Sequence, residues 1–308
     1  MKLGIKVGPN KTSVKDITAT HPQMAEVWFD VNRANEYTEL FDALKREGCD
    51  VGLHFWGATK EGLWANIAFR NKQLTDISMN FMRSTIDIAA RNGFQYVNIH
   101  PGCAAKVAVD LINGSARAIS EPIDFDLSTT LFLDNTLKLD KYAKAKNVIL
   151  TIETVPARAT DFWNDQERRK QSDHIVNLYE LPVGAIVEAA RNGISVTNDF
   201  GHTAASIIDN DPGRVWSHLL ETTDRLLPQT KLIHLNFIIE PFNGTDIHDS
   251  LDNQVLDTDQ AVPNKKQIIT LLKKFNQRDD VWILSEPAND HVKNYFLAKK
   301  LLEEASQI

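Results

Sequence analysis

Eight short, near-continuously apolar runs recur along this chain, and they restrict its fold more than any other feature. They read KLGIKVG (2–8), AEVWFDV (25–31), DVGLHF (50–55), QYVNIH (95–100), NVILTIE (147–153), ISVTND (194–199), KLIHLN (231–236) and VWILSE (281–286). Runs of this kind suit parallel strands that are covered on both faces. Helical patterns separate them. YTELFDALKREG closes on Gly48, LTDISMNFMRSTIDIAARNG on Gly93 and PVGAIVEAARNG on Gly193, and each glycine is placed to end a helix in the left-handed conformation. NKKQIITLLKKFNQ and NDHVKNYFLAKKLLEEA supply the last two helices. Strands alternating with helices make a parallel sheet, and eight such units in about 250 residues plus insertions predict an α/β fold of the (β/α)₈ TIM-barrel type. A doubly wound open sheet is the structural alternative, but eight sequential units favour closure. No Gly/Ser/Pro linker or low-complexity tract interrupts the pattern, so residues 1–308 are read as one domain.

Composition narrows the class. The chain is 43% hydrophobic and 24% charged, which suits a globular protein with a sizeable core. No stretch of about 18 apolar residues occurs, so no membrane span is expected. The first residues, MKLGIKVGPN, enter a strand pattern without an apolar leader. Cys49 and Cys103 are too few for a disulfide framework, and a cytoplasmic location is expected. A formal charge of −7 argues against coating nucleic acid by bulk charge, yet it is compatible with one basic or metal-bearing groove.

The insertions are uneven. Long segments follow the fourth run (101–127), the fifth (154–171) and the seventh (237–263). All three are expected at the C-terminal face of the barrel, where such folds build their sites. The titratable residues gather at the same rim. His54 ends the third run, His100 the fourth, Glu153 the fifth and Asp199 the sixth, with His202 just beyond. His234 lies at the end of the seventh run, Asp246 and His248 in the loop after it, and Glu286 ends the eighth. Taken singly, each has an ordinary explanation: a hydrogen-bonded rim histidine, an Asp199 helix cap, a Glu153 paired with a buried lysine. Taken together, four carboxylates and five imidazoles share one mouth, and no Lys or Arg occurs within the strand-end motifs themselves. Unpartnered buried charge is costly, so bound cations are the simplest neutraliser, and a His/carboxylate set suits Zn²⁺ or Mn²⁺. Asp246 and His248, two apart in an extended loop, point the same way and can chelate one ion. Gly201, Ala204 and Ala205 leave room for metals and for close packing of the helix start. His21, His174, His218 and His291 lack the strand-end context and are read as solvated or structural.

This ordered set resembles the endonuclease IV family, zinc-dependent apurinic/apyrimidinic endonucleases of the xylose-isomerase-like barrel superfamily. The resemblance rests on "HPG" after His100's strand, the D-x-x-H of Asp199 and His202, "HLN" at His234 and the D-x-H of Asp246 and His248, and it spans His54 to Pro287. It implies three zinc ions: one on His54, His100 and Glu153; a second on a bridging Glu153 with Asp199, His234 and Glu286; a third on His202, Asp246 and His248. It implies phosphodiester hydrolysis of abasic or otherwise damaged DNA, with Glu153 or Glu286 orienting the nucleophile. Arg33, Phe55 and Trp56 are candidate substrate contacts, with rim packing the plain alternative for the two aromatics. RATDFWNDQERRK (158–170) mixes arginine with aromatics and either touches substrate or starts a solvated helix. Phe237 after "HLN", Ile247 inside the D-x-H and the "FNG" before Thr245 depart from the family's acidic and basic residues, and these departures touch DNA contacts rather than metal ligation. The alternative within the superfamily is a sugar isomerase or epimerase acting on a small sugar. It would need one metal on Glu153, Asp199, His234 and Glu286, with the two glutamates as acid/base pair.

Overall fold

The computed structural model describes residues 1–161 and 175–307. Eight parallel strands close into a barrel: β1 Lys2–Val7, β2 Met24–Asp30, β3 Asp50–Trp56, β4 Tyr96–Ile99, β5 Ile149–Glu153, β6 Ser195–Asp199, β7 Thr230–His234 and β8 Trp282–Leu284. Each strand pairs with its sequence neighbours, and β8 pairs with β1 to complete the ring. The eight apolar runs are therefore the eight barrel strands. The ends differ from expectation: β3 continues past His54 to Trp56, whereas β4 stops at Ile99 and β8 at Leu284, so His100 and Glu286 lie just past their strands.

Nine helices cover the barrel among the described residues: α1 Ser13–Thr20, α2 Thr38–Glu47, α3 Lys72–Asn92, α4 Phe125–Lys144, α5 Val183–Arg191, α6 Phe200–Ala205, α7 Pro212–Leu226, α8 Lys265–Lys273 and α9 His291–Ser306. Their ends follow from local chemistry. Asn71 and Asp124 accept hydrogen bonds from the first-turn amides of α3 and α4, and Asn264 with Gln267 forms a reciprocal capping box on α8. Gly48, Gly93 and Gly193 adopt φ of 73°, 72° and 81° after α2, α3 and α5, as their placement in the sequence requires.

Alternation along the strands divides the interior into two environments. Outward residues such as Val27, Leu53, Val97, Ile152 and Ile233 join the helices in the main apolar core. Inside the barrel, Met24, Tyr96, Leu232, Trp282 and Leu284 form a separate apolar floor. Gly4 and Gly52 make that floor possible. A Cβ on Gly52 would stand 2.0 Å from the Tyr96 ring, and one on Gly4 would stand 1.6 Å from the Met24 sulfur. The expected insertions after β4, β5 and β7 each carry a two-stranded antiparallel ribbon: Val107–Asp110 with Ser115–Ala118, Ala159–Thr160 with Ile175–Val176, and Ile238–Ile239 with Ala261–Val262.

Candidate metal centre

Above the apolar floor the inward positions turn polar. Lys6 pairs in register with Glu26, and Asp199 with His234. Glu26, Glu153, Asp199 and His234 have no exposed surface, and Lys6, His54, His202, Asp246 and Glu286 are also buried. All nine residues singled out in the sequence converge here. Their ligand atoms form the three groups that the resemblance implies: His54, His100 and Glu153; Glu153, Asp199, His234 and Glu286; and His202, Asp246 and His248. Within each group those atoms lie within 4.8 Å of one another. A fourth such group joins Glu26 to His54, His234 and Glu286.

Hydrogen bonds fix which imidazole nitrogen faces each group. His202 Nδ1 donates to the Thr154 carbonyl at 2.8 Å, and His248 Nδ1 donates to the Glu286 carbonyl at 2.6 Å. Both Nε2 atoms are thereby left to face Asp246 Oδ2, that of His202 at 3.4 Å and that of His248 in closer contact. His234 is turned the other way. Its Nε2 lies 3.0 Å from Glu26 Oε1. Its Nδ1 lies 3.1 Å from both Glu153 Oε1 and Glu286 Oε2 and 3.7 Å from Asp199 Oδ2. An imidazole whose far nitrogen is held by a carboxylate or carbonyl is the usual setting of a metal ligand.

Asp199 serves two purposes. Its Oδ1 accepts from the His202 amide at 2.7 Å and caps α6, while its Oδ2 is buried without a hydrogen-bond partner. The cap uses one oxygen, so it does not compete with the other for a ligand role. Burial pushes the Asp199 carboxyl up to about 6. Burial also opposes a charge on His234, but Glu286, Glu153 and Glu26 outweigh it and hold the imidazole proton well above the histidine range. Burial takes His100 the other way, down to about 3. An orphaned carboxylate oxygen beside an imidazole ringed by three carboxylates fits a divalent cation, which would displace that proton on binding.

Two members of the centre were not anticipated. Lys6 Nζ donates to Glu26 Oε1 at 2.5 Å, to His54 Nδ1 at 2.6 Å and, at close range, to Glu286 Oε1. A lysine does therefore reach the carboxylates, from the penultimate residue of β1. Burial opposes its charge, and Glu26, Glu286 and Glu153 raise its pKa above the usual lysine value. Glu26 also accepts from the Tyr96 hydroxyl at 3.1 Å. Burial and the Lys6 charge oppose a proton on His54, while Glu153, Glu26 and Glu286 favour it, and the net direction is upward.

A cleft of about 920 Å³ opens above these groups and is lined by Trp28, Arg33, Trp56, Trp64, Glu180 and His291 among others. Trp56 and Arg33 both line the cleft, and Arg33 is ion-paired with Glu36. Phe55 does not. Its place between inward His54 and Trp56 sends it outward, and it is 5% exposed within the main core, so packing accounts for it. His291 is a second correction, since it lines the cleft with a buried Nδ1 that has no hydrogen-bond partner. His21 is exposed beside Glu47 and His218 bonds Ser206, in keeping with their reading as solvated or structural. Gly201 packs closely on Asn236, which a Cβ would approach at 3.0 Å. Of the segment 158–170, only residues through Asp161 are described, and His174 likewise lies outside the described residues.

Comparison with family models and with curated protein sequences gives no match. Solved structures do match, over nearly the full chain. A D-tagatose 3-epimerase-like protein is 14% identical, with 100% of this chain and 99% of that one covered at a TM-score of 0.65. Endonuclease IV from Thermus thermophilus is 16% identical, with 99% and 100% covered at a TM-score of 0.57. The TTHB071 protein from the same organism, in a structure soaked with ZnCl2, is 16% identical, with 99% of each chain covered at a TM-score of 0.59. The fold shared with these structures is the (β/α)₈ TIM barrel. Within this group, sugar epimerases recur among the similar structures more often than endonuclease IV.

Proposed function

We propose that this chain is a metal-dependent sugar isomerase or epimerase in which Glu153 and Glu286 form the acid/base pair. One observation carries the reading: Glu153 Oε1 and Glu286 Oε2 each lie 3.1 Å from the same atom, His234 Nδ1, beneath a cleft of small-molecule size. A Zn²⁺ or Mn²⁺ ion held by Glu153, Asp199, His234 and Glu286 would polarise the carbonyl of a bound ketose or aldose and acidify the neighbouring C–H. One glutamate takes the proton from that carbon, and the other returns a proton to the same or the adjacent carbon. Both carboxylates are buried side chains at the base of the cleft. Asn98 donates to Glu153 Oε2, and Lys6 donates to Glu286 Oε1, which leaves one oxygen of each glutamate turned toward His234.

Of Lys6, Arg33 and Arg158, which line the cleft, two are already committed. Lys6 is bound to Glu26 and Glu286, and Arg33 to Glu36. A DNA backbone is held mainly by cations free to meet phosphates, and the net charge of −7 does not supply them. A second reading, hydrolysis of abasic DNA by about three zinc ions, is favoured by the His202–Asp246–His248 group. Its two imidazoles are pre-set toward one carboxylate, and sugar proton transfer does not require them.

The test is to supply Zn²⁺ or Mn²⁺ and incubate the protein with a panel of ketohexoses and ketopentoses, resolving products by chromatography. Interconversion of a sugar pair that Glu286→Gln abolishes is expected. Inert sugars together with incision of an abasic duplex would overturn the proposal in favour of the second reading.

A further inference from the structure

We propose that Glu180 marks a second sugar subsite, so that the substrate is a glycoside of at least two rings. The ring that bears the carbonyl reaches Glu153 and Glu286, and a hydroxyl of the next ring donates to Glu180 Oε2. The inference rests on the isomerase or epimerase reading above and names the class of sugar that site takes.

The insertion after β4 builds the place. Cys103, Val107 and Ala116 pack against Leu178, and Trp64 lies on the same cluster. Main-chain bonds then lay residues 179–181 along the loop at 102–104. The Ala104 amide donates to the Tyr179 carbonyl at 2.7 Å, and the Leu181 amide to the Gly102 carbonyl at 3.3 Å. Cys103 and Glu180 form a β-bridge between them. Tyr179 takes a φ of 57°, which residues other than glycine rarely adopt, and Asn177 Oδ1 accepts from its amide at 2.8 Å. Backbone on both sides thus holds Glu180 in the wall of the cleft.

The Glu180 carboxyl is half satisfied. The Cys103 thiol hydrogen-bonds it, but Oε2 is buried without a partner. A buried acceptor left without a donor is costly. A metal is not the missing partner, since Glu180 belongs to none of the ligand groups among the described residues. Burial raises the carboxyl to about 7, so a neutral donor suits it better than a cation. A sugar hydroxyl is such a donor.

The space fits more than one ring. The cleft measures about 920 Å³, near the top of the roughly 300–1,000 Å³ that encloses drug-sized ligands. One sugar ring fills a fraction of it. A second hollow of about 370 Å³ shares Val155, Pro156 and Glu180 with the cleft, so Glu180 stands where the two spaces meet. Leu178 and Trp64 make the neighbouring wall apolar. Sugar rings present C–H faces as well as hydroxyls, and an apolar wall with one placed acceptor suits such a ring.

Substrate size separates the outcomes. Disaccharides that end in a ketose or an aldose, and the matching monosaccharides, are compared on the metal-loaded protein by calorimetric titration and by chromatography of the products. Wild type is expected to favour a disaccharide over its monosaccharide by about tenfold or more in kcat/KM. Glu180→Leu is expected to remove that preference, chiefly through KM, because it takes away binding of the second ring and not the chemistry at the first. A wild-type ratio of one or less, or a ratio that Glu180→Leu leaves unchanged, would overturn the inference, while turnover of monosaccharides would keep the isomerase or epimerase reading. A disaccharide bound more tightly than its monosaccharide, with product from neither, would keep the subsite and remove that reading. No binding of either sugar would overturn both. Should Glu180→Leu fail to fold, the wild-type ratio alone decides.

Discussion

Glu26 Oε1 lies 3.0 Å from His234 Nε2, and this contact aims the opposite nitrogen of the imidazole at Glu153, Asp199 and Glu286. Glu26 does not line the cleft and cannot touch a substrate. Its part is to orient a ligand. Outer partners of metal-bound histidines are commonly worth about 10–100-fold in metal affinity. Glu26→Gln is therefore expected to weaken zinc binding by that factor in a calorimetric titration, and an unchanged affinity would remove the orienting role.

Glu153 is the most connected carboxylate of the centre. It meets His234 and His202 through Oε1 and His54 through Oε2. Glu153→Gln should lower bound zinc and reduce sugar turnover by about 10²–10⁴-fold, the usual weight of a positioned acid or base. Full metal content with full turnover would make the carboxylate structural only.

Much of this was legible in the chain because a parallel barrel writes itself as eight apolar runs, and because Glu153, Asp199 and Glu286 stand at or just past the last residues of those runs. Lys6 and Glu26 were not read from the same pattern. They sit within β1 and β2, between outward apolar neighbours, and each looks like an isolated polar residue in a buried strand. Their signal is the two-residue period: Gly4 and Lys6, then Met24, Glu26 and Trp28, all point inward. The same period sends Phe55 outward, which the adjacency of Phe55 and Trp56 concealed. Glu180 and His291 reach the cleft from loop and helix positions that no local pattern marks.

Glu180 gives a pH-dependent prediction. It lines the cleft, its Oε2 is buried without a hydrogen-bond partner, and burial raises its carboxyl to about 7 against the smaller opposing effects of Cys103 and His202. The unfolded chain would titrate near ~4.3. Between those values the folded state binds more protons, so this group's contribution is full below about 4.3, is lost as pH rises toward 7, and is constant above. Glu180→Gln should consequently be more stable than wild type at pH 8, by on the order of 1–2 kcal/mol, with the difference shrinking at pH 5. Urea unfolding at the two pH values measures it. An equal difference at both would show that the carboxyl is not perturbed.

Gly52 tests the floor of the barrel. A methyl group there would stand 2.0 Å from the Tyr96 ring, which packs against Trp282 at 5.0 Å between centroids and donates to Glu26. Gly52→Ala should cost about 1–3 kcal/mol through overpacking and should weaken zinc binding by disturbing Glu26. A variant with wild-type urea midpoint and zinc affinity would contradict the packing described for the floor.

The central claim is proton transfer at a sugar carbon by Glu153 and Glu286, and solvent exchange tests it most directly. The metal-loaded protein is incubated in D₂O with a panel of ketoses, and deuterium at the carbon beside the carbonyl is followed by NMR. The account predicts exchange with at least one sugar, its loss in Glu153→Gln and Glu286→Gln, and its persistence in His248→Ala, because the His202–Asp246–His248 group is not needed for that step. No exchange with any sugar, together with incision of an abasic duplex that His248→Ala abolishes, would contradict it.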